Sequence, residues 1–142
     1  MKTKLKAASA AVLIAGVLTG CAGVPDKNTP EAANYGTYPA DYKALIDAYQ
    51  QSTLKEPASA VVQYLNEPSS GWTRAALGAP VVFGYRVCLI VHAKNSYSGY
   101  VGNLLTEVFI RNEKVVSYRV ADHSSSAYDA IVQSACDSVS PK

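Results

Sequence analysis

Histidine is nearly absent from this chain of 142 residues, with His92 and His123 the only two. Two isolated imidazoles and three cysteines show no metal-ligand spacing, so neither a metal nor another cofactor is expected. The chain has no P-loop, no GxGxxG and no HExxH, which removes the usual signatures of nucleotide binding and zinc peptidase chemistry. Charge is scarce and nearly balanced, at 13 Lys plus Arg against 11 Asp plus Glu. Lys2, Lys4 and Lys6 crowd the extreme N-terminus, and without them the balance turns slightly acidic. No basic stripe is left to engage nucleic acid or an acidic lipid surface. Internal repeats and low-complexity runs are also missing.

One long apolar run is present, at the start. "MKTKLK" forms a positive n-region and "AASAAVLIAGVL" an uninterrupted apolar h-region. That run is short for a bilayer span and reads as an export signal over residues 1–20. It ends in "LTGC", Leu18-Thr19-Gly20-Cys21, which resembles the bacterial lipobox. The resemblance implies cleavage before Cys21, diacylglycerol on its sulfur and a third acyl chain, such as palmitate, on its amine. Several acyl chains on one residue make a lasting membrane anchor, where one gives only marginal binding. The plain alternative is an ordinary secretory signal. Ala22 stands where an inner-membrane retention signal usually places Asp. By resemblance to enterobacterial sorting, this implies an outer-membrane lipoprotein facing the periplasm.

If Cys21 carries lipid, Cys88 and Cys136 remain. Two thiols exported to an oxidising compartment most simply pair, and a small domain gains from such a staple. Two separate buried thiols are the alternative. No residue pattern nominates a histidine that would activate either as a nucleophile.

Residues 21–37 are small and polar, with Pro25 and Pro30, and are expected to form a lipidated tether unable to bury a core. Residues 38–138 are expected to form a single α+β domain. In "YPADYKALIDAYQQS", Pro39 and Asp41 suit a helix start, and Tyr42, Leu45, Ile46 and Tyr49 recur at helical spacing. "PASAVVQYL" reads as a strand. "NEPSSGWTRAALGAP" reads mostly as loop, with Trp72 as a lid over the core or an interface anchor. "FGYRVCLIVHA", "LLTEVFIRN" and "KVVSYRV" predict an antiparallel meander in a sheet of three to four strands. Asn112 suits the left-handed turn of its second hairpin. One sheet face is expected to present Val87, Leu89, Val91, Val108, Ile110, Val116, Tyr118 and Val120. "SSSAYDAIVQSAC" predicts a C-terminal helix with Ser126 and Asp129 at capping-box spacing and a core stripe of Tyr128, Ile131, Val132 and Ala135. A Cys88–Cys136 bond would draw that helix to the face opposite Val87, a conflict with a single packed face.

The stretch "HAKNSYSGYVGN", His92 to Asn103, reads as a connection of about ten residues, long for a hairpin. It is either a self-packed Ω-like loop or an aromatic platform. In the second case Tyr97 and Tyr100 would face a glycan or an extended peptide, with Lys94 and Asn95 as polar contacts. A hydrolase built on Ser96, His92 and Asp122 is a weaker option.

"PASA" at Pro57–Ala60, "GYRVC" at Gly84–Cys88 and "HAKNSYSGYVG" at His92–Gly102 together resemble a family of small uncharacterised Gram-negative envelope lipoproteins. Those carry a Pro-x-Ser-Ala segment, a Gly-aromatic strand and an Asn-Ala-Lys-Asn-Ser-Tyr-Gly-Gly-Tyr-Thr-Gly loop. This chain departs from the loop at His92, Ser98 and Val101, which bears on any role that needs an amide or hydroxyl there. The resemblance implies an envelope address rather than a mechanism. The function expected is a non-catalytic binding or assembly module for an envelope protein, with a glycan or peptidoglycan binder as the alternative.

Overall fold

The computed structural model describes residues 34–94, 97 and 99–139. The expected signal, Cys21 and most of the tether lie outside them, as do Asn95 and Ser96. The described chain is α+β. It has a helix α1 (Tyr42–Thr53), a 3-10 turn (Pro57–Ser59) and strands β1 (Val61–Tyr64), β2 (Ser69–Thr73), β3 (Val82–Lys94), β4 (Tyr100–Arg111) and β5 (Lys114–Val120). Helix α2 (Ser126–Asp137) closes the order.

All five strands form one antiparallel sheet. β3 and β4 are central, β5 pairs with β4, and β1 and β2 lie end to end along the outer edge of β3. β2 is a correction, since its segment reads as loop in the sequence. "SSGWT" has no apolar alternation, yet Trp72 stands opposite Phe83 and Gly71 opposite Gly84. Pro68 cannot donate to a ladder, so the edge breaks there. Asn66 spans the break. Its side-chain amide donates to Arg86 O at 3.2 Å and its carbonyl oxygen accepts from Cys88 N at 2.7 Å, as a peptide group would.

The conflict over faces resolves because both sides of the sheet are covered. Ile46 of α1 is buried with Val87, Leu89, Val91, Val108 and Ile110 on one face. The alternate residues of β3 point the other way, and there Cys88 is bonded to Cys136 of α2, with Cα atoms 5.7 Å apart. The expected pairing is therefore present, and the sheet is the middle layer of three.

Two expected core assignments are overturned. Phe109 stands opposite Ser117 but Ile110 opposite Val115, so Val116 is the extra residue of a β-bulge and is 49% exposed. Val115 reaches the α1 face in its place, and Tyr118 packs there as expected. On α2, Val132 and Cys136 turn inward while Tyr128 and Ile131 are exposed, because the disulfide fixes which side of the helix meets the sheet. Its cap is Ser125, one residue before the expected one, and the Asp129 carboxylate accepts from His123 N at 3.4 Å. At the β4–β5 hairpin, Asn112 and Glu113 both adopt positive φ, 48° and 58°, as a tight two-residue turn requires.

Candidate functional site

A helix of 12 residues is about 18 Å long, whereas 13 residues of extended strand run about 43 Å. α1 therefore covers less than half the length of β3. It stops at Leu54, whose extended backbone still donates N–H to Gln50 O, while Ser52 and Thr53 hydroxyls turn back onto Tyr49 O. Beyond that point the α1 face lies open as a cleft of about 520 Å³. Val91, Ala93, Leu104 and Val120 line it as apolar floor, with Tyr118 at the inner end. Lys55, Lys94, Asp122 and His123 also line it.

The inner end is rigid. Buried Gln50 donates to the Tyr118 hydroxyl at 2.9 Å, and Tyr49 stacks on Tyr118 with ring centroids 5.1 Å apart. Burial raises the Tyr118 pKa above the ordinary phenol value of 10.0, only partly offset by the bond from Gln50. At the other end, Asp122 accepts at Oδ1 from Ser124 N (3.0 Å) and Ser124 Oγ, and these bonds lower its pKa.

The long loop expected between His92 and Asn103 is also a correction. The strands continue past His92, pairing it with Asn103 and pairing Lys94 with Tyr100. A register shift between His92 and Lys94 is accommodated near Gly102, at φ +90°. Only residues 95–99 remain as the connection. Tyr97, at 91% exposure, stands at this tip. Of the expected binding residues, Lys94 and Tyr100 come together: the Lys94 Nζ is 5.3 Å from the Tyr100 ring centroid. His92 stacks on the same ring at 4.4 Å, so part of its π surface is already engaged. Asn95 lies outside the described residues.

The expected Ser96–His92–Asp122 constellation is not brought together by the residues described. His92 Nδ1 faces Asn103 Oδ1 at 3.0 Å, and the partner of Asp122 is Ser124. Ser96 is outside the described residues. Among the described residues, no three His, Cys, Asp or Glu side chains converge in a metal-like cluster.

One charged group escaped the sequence reading. Glu107 is completely buried on the α2 face, flanked by Arg86 (Nε to Oε1, 2.8 Å) and Arg119. Arg86 also donates to Trp72 O at 2.7 Å, and Arg119 to Thr73 Oγ1 at 3.3 Å. The cluster thereby ties four strands together. The alternation "TEVFIR" places Glu107 on the side of Cys88, but only the α2 layer makes that side an interior.

No protein-family model, no curated protein and no solved structure matches this chain.

Proposed function

We propose that this chain is a lipid-anchored envelope module that binds or assembles with an envelope partner and catalyses no reaction. In this reading Cys21 carries the acyl chains and the domain faces the periplasm from the outer membrane. The observation that carries it is the polarity of the fold. The described chain enters at the β4–β5 hairpin: Arg111 donates to Asn34 O at 2.7 Å, and Gly36 lies against Asn112. The Lys94–Tyr100 tip and the open cleft are at the opposite end of the same strands. A domain held through its N-terminus thus directs its aromatic tip and its cleft away from the point of attachment. The outer edges of β1 and β5, which no other strand among the described residues covers, add a surface for strand addition, a common way for such modules to hold partners.

Growth with labelled palmitate tests the anchor: label on the purified chain, lost in Cys21→Ser, is the expected result. Crosslinking in intact envelopes tests the binding reading, with a specific partner expected to be recovered less well by Tyr97→Ala/Tyr100→Ala. Recovery unaffected by those changes removes the tip from the account. Peptidoglycan binding is the second reading, favoured by the exposure of Tyr97 at the turn. Sedimentation with purified peptidoglycan tests it, and a chain that stays in the supernatant ends it.

A further inference from the structure

The cleft beyond α1 combines an apolar floor with cations that lack carboxylate partners. Among the described residues the ion pairs are Arg86–Glu107, Arg119–Glu107 and His123–Asp129, so neither Lys55 nor Lys94 is claimed by one. Two lysines line the cleft against one aspartate, and the hydrogen bonds of that aspartate go to Ser124. The volume, about 520 Å³, lies in the range of small-molecule sites, which are largely apolar with a few placed polar groups.

We propose that this cleft binds a single-chain anionic amphiphile, a fatty acid carboxylate. Its alkyl chain lies along Val91, Ala93, Leu104 and Val120, and its head meets Lys55 and Lys94. The apolar floor suits an alkyl chain because it offers no hydrogen-bonding group in need of a partner, whereas the two lysine ammonium groups have no carboxylate partner among the described residues. Their charge selects against a cationic head. The inner end is closed by Tyr118, held by Gln50 and Tyr49, which limits how far the chain enters. This proposal rests on the binding-module reading and names a ligand class for it.

The full chain carrying Cys21→Ser, free of acyl groups and detergent, is titrated calorimetrically with dodecanoate below the concentration at which it forms micelles. Saturable one-to-one binding is expected. Dodecyltrimethylammonium, with the same chain length and the opposite head charge, is expected to bind about tenfold or more weakly, and Lys55→Glu/Lys94→Glu to weaken dodecanoate to a similar extent. Acetate, the head without the chain, is expected not to displace it. Unchanged circular dichroism of the variant separates lost binding from lost fold. Absence of dodecanoate binding, equal binding of the cationic amphiphile, or displacement by acetate overturns the proposal. The palmitate experiment reads the anchor independently of all three.

Discussion

Glu107 shows how a single buried charge constrains a fold. Its carboxylate has no access to solvent and is balanced by two guanidiniums that are themselves mostly buried. Taking such a group out of water is costly, and the pairing offsets that cost only while all partners are present. Glu107→Ala should therefore lower stability by about 3–5 kcal/mol in urea unfolding, because two cations lose their counter-charge. Replacing Glu107, Arg86 and Arg119 together by apolar residues of similar volume should cost much less. A single Ala variant with wild-type stability would show that the cluster does not contribute. A second prediction at this scale concerns phenols. Burial raises Tyr118 and Tyr64 above 10.0, with the charges of Tyr42 and Asp47 adding to the shift at Tyr64. The folded chain then keeps protons that the unfolded chain releases. Their contribution is fully present below pH 10.0 and is lost as pH rises through the folded values. Unfolding free energy should fall steeply above that point, and Tyr118→Phe should flatten the fall.

The disulfide joins the central strand to the last helix across 48 residues of sequence. Closing a loop of that length in the unfolded chain is worth about 4 kcal/mol on the chain-entropy account. Cys136→Ser is expected to lose about 2–5 kcal/mol. It should also raise protease sensitivity of α2 before that of β3 and β4, since Val132 would be the only fully buried α2 side chain left to hold the helix. Equal stability with and without reductant contradicts this. At this scale much was legible in the sequence. Helical spacing marked α1 and α2, and alternation marked β3, β4 and β5. Asn112 marked the turn, and the expectation of export implied the bond between the two cysteines. β2 was hidden because its pairing comes from its position beside β3 and from Trp72 meeting Phe83, not from its own composition. The bulge at Val116 was hidden because a run of strand-forming residues does not say which one is left unpaired. The tip was overestimated for a related reason. His92, Lys94 and Tyr100 are polar or amphipathic and read as loop, yet their backbones complete a ladder.

For the whole molecule, alternation in β3 gives two apolar or semi-apolar faces, and each helix takes one. The sheet is consequently covered on both sides near the Asn112 end of the α1 face but open near the tip, where the cleft forms. What the sequence left out is this asymmetry, since it follows from the unequal lengths of a helix and a strand. The same asymmetry gives the last prediction. If acyl chains sit on Cys21, the sites nearest residue 34 spend more time near the bilayer than those at the far end of the sheet. Twelve residues separate Cys21 from Asn34, enough for about 40 Å of fully extended chain. Even at that reach, contact with the bilayer is expected to favour the hairpin end. Cys88 and Cys136 are bonded to each other, so a single added thiol can be labelled alone. In vesicles carrying nitroxide-labelled lipid, a fluorophore on Lys114→Cys, next to the hairpin turn, is expected to be quenched more than one on Tyr97→Cys. Equal quenching, or stronger quenching at position 97, would mean that the tip faces the membrane. The outward-facing reading of the cleft and its aromatic tip would then have to be reversed.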